Sequence, residues 1–133
     1  AECGGLMFLG NSIIVEGKKY PMVDIFPITF EMKNKPQAHG YTIVEVEREN
    51  PFYPIGTVLH GHEFHYSTVA SMAENYAFMA FKMKRGHGIR NKMDGICYKN
   101  VLATYTHIHV FGTREWVEGL IRKAHEYKLS CSS

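Results

Sequence analysis

Near its start the sequence places a cysteine directly before two glycines and an apolar run. A nucleophile at a strand-to-helix elbow has this pattern, because the strained backbone of the elbow tolerates only small neighbours. We therefore expect Cys3 to lie at such an elbow, followed by a short helix over residues 4–14, in which Gly10 and Asn11 offer a stop. The first N–H groups of this helix would favour the thiolate. A buried cysteine beside a glycine turn is the alternative interpretation, since a Cys-Gly-Gly motif alone is a weak signal.

The stretch after this predicted elbow alternates strand patterns with turn residues. Residues 40–48 give the clearest strand, with Thr42, Val44 and Val46 on one face and acidic residues on the other. Asp94-Gly95 is typical of a hairpin turn. Further strands are predicted within 20–33 and over 57–68, 75–84, 96–98 and 101–110.

From Thr113 onward the sequence has the periodicity of an amphipathic helix, with Thr113 as the predicted N-cap. One helix face would carry Trp116, Leu120, Ile121, Ala124 and Tyr127. Strands between a short helix and a long one predict an α/β fold with a central mixed sheet.

Composition restricts the class of function. The chain has 133 residues and a net charge of +2, and it contains no apolar run of the ~18 residues that a membrane span needs. We expect neither a nucleic acid nor a membrane as partner, because nucleic-acid binding usually needs a strong basic excess. Three cysteines without a C-x-x-C spacing fit a reducing compartment, so the predicted location is the cytoplasm.

Two histidine clusters could carry chemistry. One spans residues 60–65 and contains His60, His62 and His65, and the other contains His107 and His109. They could ligate zinc or nickel, they could be polar residues on a strand face, or one histidine could be the base that activates Cys3. The third hypothesis favours His107 or His109, because their strand leads into the C-terminal helix. A basic stretch over 82–92 could bind an anionic substrate or be a solvated loop.

Four blocks of sequence, in this order, closely resemble the glutamine amidotransferase domain of the cobyrinate a,c-diamide synthase family. They are residues 2–7 (ECGGLM), 61–67 (GHEFHYS), 94–103 (DGICYKNVLA) and 105–109 (YTHIH). The resemblance covers nearly the whole chain. It implies a class I glutamine amidotransferase-like, flavodoxin-like layered sheet with flanking helices. Residues 1–133 would form the C-terminal portion of that domain, starting at the nucleophile elbow, with the N-terminal part missing.

The resemblance also implies an activity. The family uses ammonia from glutamine and ATP to convert the a- and c-carboxylates of a corrin-type macrocycle to amides in cobalamin biosynthesis. Cys3 would match the nucleophile and His107 the histidine that activates it. Gly4 and Gly5 would lie at the oxyanion, and Glu63 and His65 near the glutamine site. ATP and Mg²⁺ would bind in a missing N-terminal domain, and no metal is expected in this chain.

The sequence departs from the usual pattern at two points. Where a typical amidotransferase triad has a carboxylate two residues after the histidine, this chain has His109, a candidate orienting residue. No phosphate-binding G-x-x-x-x-G-K-[ST] motif is present either. We therefore expect this chain alone to be inactive. Open alternatives are a related tetrapyrrole amidase, such as a nickel-sirohydrochlorin a,c-diamide synthase, a non-enzymatic histidine-rich metal-binding module, and a degenerate structural domain. A homodimer also stays open.

Overall fold

A computed structural model describes residues 1–73 and 78–131 of the chain. Two helices lie at the ends of the described sequence, with strands between them. The elements are α1 (Gly4–Phe8), β1 (Ser12–Val15), β2 (Lys18–Pro21), β3 (Ile28–Met32), β4 (Ala38–Val46), β5 (Val58–His65), β6 (Ser67–Met72), β7 (Phe78–Arg85), β8 (Met93–Tyr98), β9 (Val101–Ala103) and α2 (Arg114–Ser130).

The strands form two sheets. One has the order β2-β1-β3-β6 and the other the order β5-β4-β7-β8-β9. Among these strands the β1–β3 pair is parallel and the other pairs are antiparallel. The predicted mixed α/β class, with a C-terminal helix, is confirmed.

The two outer strands of the five-stranded sheet are linked by the chain that follows β9. Glu2 forms a parallel bridge with Thr104, and three residues later His107 forms an antiparallel bridge with His62 of β5. Gly61 permits this approach, because a Cβ atom there would lie 2.3 Å from the carbonyl oxygen of His107. The N-terminal elbow, the segment over 104–107 and β5 therefore meet at one place.

The buried apolar residues form two hydrophobic cores, and the five-stranded sheet contributes to both, since Ile96 of β8 and Ala103 of β9 belong to the second. The core under the five-stranded sheet contains Val44, Val46, Tyr53, Leu59, Ala80, Phe81, Met83, Cys97 and Leu102. The other core lies around α1 and β3 and contains Leu6, Phe26, Ile28, Phe30, Ile89, Ile96, Ala103 and Tyr105. Leu6 is completely buried, so α1 is anchored to the second core.

Several sequence predictions are confirmed. The strand predicted over 40–48 is β4, and its buried residues Thr42, Val44 and Val46 share one face. The region 20–33 contains the end of β2 and all of β3. The strand predicted over 75–84 corresponds to β7, although positions 75–77 lie outside the described residues.

Three boundaries were wrong. Helix α1 ends at Phe8 instead of reaching residue 14, because the chain turns at Gly10 and continues as β1. The strand predicted over 57–68 is two strands, β5 and β6, separated at Tyr66. Strand β9 ends at Ala103, beyond which 104–110 holds only isolated bridges.

Asp94-Gly95 is not the predicted hairpin turn but part of β8. The turn between β7 and β8 lies just before it, at Asn91 and Lys92, which both have positive φ angles, 52° and 61°. Two consecutive residues with positive φ are the signature of a tight type I′ hairpin turn. Asp94 is therefore not a turn residue but a buried residue of β8.

Helix α2 begins directly after Thr113, as predicted, but the Thr113 hydroxyl makes no capping hydrogen bond and is buried without a partner among the described residues. The predicted apolar face is only partly covered. Trp116 and Leu120 border a cavity of about 330 Å³, whereas Ile121 is 63% exposed. The helix approaches the body of the domain most closely at Gly119, where a Cβ would lie 2.3 Å from the carbonyl oxygen of Phe52.

Across residues 1–73 and 78–131, neither helix is both long enough and apolar enough to cross a membrane.

Candidate active site

Cys3 has the backbone of a strained elbow. It immediately precedes α1 with φ 47° and ψ −101°, a conformation that non-glycine residues rarely adopt. Its N–H donates to the carbonyl oxygen of Thr104 at 2.8 Å, which fixes the elbow against the chain after β9. A Cβ atom at Gly4 would have nothing within 4 Å, whereas one at Gly5 would lie 3.2 Å from Ala1 Cβ. The space beside the elbow is therefore open at Gly4.

The Gly4 N–H at the start of α1 favours the Cys3 thiolate, as predicted, but other groups outweigh it and the pKa of the thiol is raised. Burial raises the pKa of the Cys3 thiol, and the neighbouring Glu2 carboxylate raises it further. The Gly4 N–H does lower the pKa, as expected, but its effect is smaller than that of burial. The resting thiol is therefore protonated at neutral pH and needs a base to become a nucleophile.

Cys3 and His107 both lie against the same few residues of β5. The Cys3 thiol donates to the carbonyl oxygen of Phe64 at 3.8 Å. His107 and His62 exchange backbone hydrogen bonds of 2.7 and 3.1 Å. Phe64 and His62 are two residues apart on β5, a spacing of about 7 Å along a strand. The structure thus brings the predicted nucleophile and the predicted base to one place.

The His107 ring contacts two further side chains, His62 from the predicted histidine cluster and Glu2, which sequence analysis did not single out. Its Nδ1 atom is 3.7 Å from Oε2 of Glu2. Its ring stacks on that of His62, with centroids 4.9 Å apart and an angle of 11° between planes. The position of Glu2 directly before Cys3 was the one sequence signal for its presence here.

Glu63 and His65 face the interior of the domain from β5. Oε2 of Glu63 is 3.7 Å from Nε2 of His65, and its carboxylate accepts hydrogen bonds from the N–H groups of His87 and Gly88. Burial raises the pKa of Glu63, but His65 and these N–H donors outweigh it and hold the pKa below its usual value. Glu63 therefore fastens the loop after β7 to β5.

His65 belongs to a buried polar network that extends away from Glu63. Its ring stacks on Tyr105 with centroids 3.7 Å apart, and its Nδ1 is 2.9 Å from the carbonyl oxygen of Ser67. The hydroxyl groups of Ser67 and Tyr105 are hydrogen-bonded at 2.7 Å. A groove of about 630 Å³ runs past this network, between β6 and the loop over 87–91. The predicted glutamine-site residues Glu63 and His65 thus lie on the buried face of β5. Cys3 and His107 contact other residues of that strand, Phe64 and His62 respectively.

Asp94 holds the segment that leads to His107. Its completely buried carboxylate accepts five hydrogen bonds, from the N–H groups of Gly95, Tyr105 and Thr106 and the hydroxyl groups of Thr104 and Thr106. Burial raises the pKa of Asp94 in spite of these donors. Sequence analysis missed this residue because Asp-Gly is a common turn signal.

The remaining histidines are spread over the surface. His60 and His62 share the exposed face of β5, as their spacing predicted, and Glu63 lies on the opposite face. His109 accepts a hydrogen bond at Nδ1 from the N–H of Phe111, and its predicted orienting role stays a prediction. Within the part of the chain that the structure describes, no three His, Cys, Asp or Glu side chains are arranged to hold a metal ion. The metal-binding module gains no support from these residues.

The basic stretch over 82–92 is not a single loop. Lys82 and Lys84 lie in β7 and form ion pairs with Glu47 and Glu45, respectively. Lys92 donates to the carbonyl oxygen of Gly86 at 2.7 Å and so closes the turn region on itself. These three lysines already have partners within the chain, so they give no support to the alternative of an anion-binding loop.

Comparison with known proteins identifies the family. Residues 1–115 match the family model of the CobB/CobQ-like glutamine amidotransferase domain. The chain is 41% identical over 128 residues to the cobyrinate a,c-diamide synthase of Methanosphaera stadtmanae, covering 96% of this chain and 27% of that protein. It is 41% identical over 122 residues to the enzyme of the same name from Magnetococcus marinus, covering 92% of this chain and 26% of that protein.

A third relative of that name, from Methanobrevibacter smithii, is 45% identical over 111 residues, which cover 83% of this chain and 24% of that protein. The chain thus spans about a quarter of the length of these relatives. The family match covers every predicted site residue, from Cys3 to His109. The strained elbow at Cys3, its junction with His107 on β5 and the match over residues 1–115 lead to one assignment: the chain belongs to the CobB/CobQ-like glutamine amidotransferase domain family.

Proposed function

We propose that this chain supplies the glutamine-hydrolysing site of an ATP-dependent a,c-diamide synthase acting on a corrin-type macrocycle. One observation carries the proposal. Cys3, on a strained elbow, and His107, on the segment held by Asp94, contact β5 within two residues of each other. A nucleophile and a base at such a junction are the two groups that amide hydrolysis by a thiol requires.

In the proposed reaction, His107 takes the proton of the Cys3 thiol, and the sulfur attacks the side-chain amide carbon of glutamine. The imidazolium returns this proton to the departing nitrogen, which leaves as ammonia. A glutamyl thioester remains on Cys3, and a water molecule then cleaves it to release glutamate and the free thiol. The raised pKa of Cys3 supports this sequence, because a protonated resting thiol makes the base necessary.

The oxyanion of the tetrahedral intermediate needs N–H donors aimed at its position. Gly4 is the proposed first donor, because its N–H already stabilises negative charge on the Cys3 sulfur. The open space at Gly4 supports access by a substrate, since even an added Cβ there would meet no atom within 4 Å. Gly5 is less suited as a donor, because its N–H is engaged by the carbonyl oxygen of Glu2 at 2.8 Å.

The remainder of the proposed activity belongs to a longer protein. The relatives named cobyrinate a,c-diamide synthase are about four times as long as the matched region. We place the binding of ATP, Mg²⁺ and the macrocycle in the part of such a protein outside residues 1–133, with the cytoplasm as its location. Ammonia formed at Cys3 would pass to that part and become the amide nitrogen of the product.

The direct test is glutamate release from glutamine by the longer protein that carries this chain. Cys3→Ser is expected to abolish release. Cys131→Ser is the matched control, since Cys131 is an exposed free thiol at the end of α2, and it should leave the rate unchanged. Equal loss in both variants, or a Cys3→Ser variant as active as the wild type, would overturn the proposal.

A further inference from the structure

Glutamine hydrolysis by a thiol and an imidazole works best when a third group holds the imidazole in one tautomer and orientation. In the usual spacing this group is a carboxylate two residues after the histidine, but here that residue is His109. The Nδ1 atom of His109 is engaged by the N–H of Phe111, and histidine brings no carboxylate. A carboxylate in this role would therefore have to come from a different position.

Glu2 offers a carboxylate at the right place. Its Oε2 is 3.7 Å from Nδ1 of His107, within the distance of an ion pair. Its Oε1 accepts a hydrogen bond of 3.1 Å from the N–H of Ile108, the residue directly after His107. One oxygen is therefore fixed to the backbone beside the histidine while the other faces the ring.

The backbone of Glu2 is fixed as well. The carbonyl oxygen of Ala1 accepts from the Thr104 N–H at 3.0 Å, and the Cys3 N–H donates to the Thr104 carbonyl oxygen at 2.8 Å. These two bonds flank Glu2 and hold it in the parallel bridge to Thr104. A carboxylate whose backbone and one oxygen are both held loses little further freedom when it binds the ring.

His62 contacts the face of the same ring. Its ring stacks nearly parallel to that of His107, and the two residues exchange two backbone hydrogen bonds. Among the described residues, the charged or titratable side chains found against the His107 ring are thus Glu2 and His62. The Cys3 thiol contacts the carbonyl oxygen of Phe64, two residues from His62 along β5. Among these, Glu2 is the acid.

We infer that Glu2 is the positioning residue of the site, whose carboxylate holds His107 with a proton on Nδ1 and leaves Nε2 free to accept the thiol proton of Cys3. This inference rests on the proposed function for its catalytic meaning. Contacts of this kind are often long in a protein without substrate and shorten when the substrate binds, which fits a separation of 3.7 Å.

The negative charge of Glu2 has two consequences. It raises the pKa of the Cys3 thiol, so it opposes formation of a free thiolate at rest. It also lies 3.7 Å from the ring on which positive charge develops when His107 takes the thiol proton. Glu2 therefore couples loss of the thiol proton to its capture by the base.

The first test is steady-state glutamine hydrolysis by Glu2→Gln in the longer protein. We expect kcat to fall roughly 10- to 100-fold, with KM nearly unchanged. This fall in kcat is smaller than the ~10⁴-fold loss on replacing a fully buried triad aspartate, because Glu2 is partly exposed. Glu2→Asp should retain more of kcat than Glu2→Gln. Glu31→Gln is the matched control, since Glu31 lies on β3 of the other sheet, is about equally exposed and pairs with Lys33.

The second test does not depend on activity. Imidazole ¹⁵N spectra of the 133-residue chain should show His107 protonated at Nδ1, and Glu2→Gln should shift it toward a mixture of tautomers. If Glu2→Gln leaves both kcat and the His107 spectrum unchanged while wild type hydrolyses glutamine, the inference is overturned and the proposed function stands. If the tautomer changes as expected but wild type hydrolyses no glutamine, the positioning contact is real and the proposed function fails.

Discussion

Replacing Gly61 by alanine is expected to separate β5 from the segment that carries His107. The added Cβ would lie 2.3 Å from the carbonyl oxygen of His107, 2.7 Å from Cγ2 of Thr106 and 3.2 Å from Oγ1 of Thr42. The first of these atoms belongs to the backbone, so rotation of a side chain cannot relieve the clash. Since an ordinary contact is near 3.5 Å, the two backbones must move apart by about 1 Å.

This displacement sets the size of the expected effect. Gly61 is adjacent to His62, whose backbone pairs with His107 through bonds of 2.7 and 3.1 Å. A misplacement of about 1 Å between reacting groups can lower a rate by about 10²-fold. Overpacking of this kind also destabilises a fold by about 1–3 kcal/mol. We therefore expect a folded Gly61→Ala variant with about 1% of the wild-type rate.

Two measurements test the prediction together. The first is the rate of Cys3 labelling by a diazoketone analogue of glutamine, followed by intact mass. The second is amide hydrogen exchange at the N–H groups of His62 and His107, which should lose protection. Gly112→Ala is the control, because a Cβ at Gly112 would lie at an ordinary 3.5 Å from the carbonyl oxygen of His109. A Gly61→Ala variant with wild-type labelling and wild-type protection would refute the reasoning.

Two further predictions concern the buried carboxylates. Because the pKa of Glu63 is lowered in the fold, its ionised form stabilises the protein above pH ~4.5, and this contribution is lost as the pH falls through the lowered pKa. In urea unfolding at pH 7, Glu63→Gln should therefore be less stable than wild type by about 1–3 kcal/mol. This difference in stability should shrink toward pH 3. A difference that does not change with pH would contradict the prediction. Asp94→Asn places an NH₂ group against the hydrogen-bond donors of Thr104 and Thr106. The free energy of unfolding in urea should fall by about 2–4 kcal/mol. A fall below about 0.5 kcal/mol would show that Asp94 does not anchor the segment.

The sequence predicted those parts of the fold that depend on local pattern. Strand β4 alternates buried and exposed residues along most of its length, so its periodicity identified it within two residues at each end. Helix α2 begins where its apolar period begins, after Thr113. The elbow at Cys3 was predictable from the Cys-Gly-Gly pattern, in which Gly5 is closely packed at 3.2 Å from Ala1 Cβ, whereas Gly4 has open space beside it.

The sequence predictions that were wrong concern features that tertiary contacts determine. Asp94-Gly95 is a turn signal by local rules, but Gly95 lies in β8. Its lack of a Cβ serves packing there, since a Cβ would lie 2.5 Å from the Phe81 ring. The carboxylate of Asp94 then reaches residues ten to twelve positions further along the chain, which no local pattern reveals. Helix α1 was predicted too long, since the packing of Gly10 against Phe30 and the carbonyl oxygen of Ile28 fixes its end.

The candidate site shows the same division. Cys3 and His107 were recognisable as residue types with a known chemistry, and their junction on β5 agrees with that expectation. Glu2 was missed because its contact with His107 joins residues 105 positions apart in sequence, and only the bridge to Thr104 brings them together. The sign of the Cys3 pKa shift was missed for a similar reason, since burial depends on residues remote in sequence.

The central claim is that Cys3 is a nucleophile activated by His107, and covalent trapping tests it most directly. The protein is incubated with the diazoketone glutamine analogue, and the modified cysteine is located by peptide mapping among Cys3, Cys97 and Cys131. We expect one label per chain, on Cys3, blocked by glutamine and slowed at least about 100-fold by His107→Ala. Label on Cys131, label that glutamine does not block, or an equal rate in His107→Ala would contradict it.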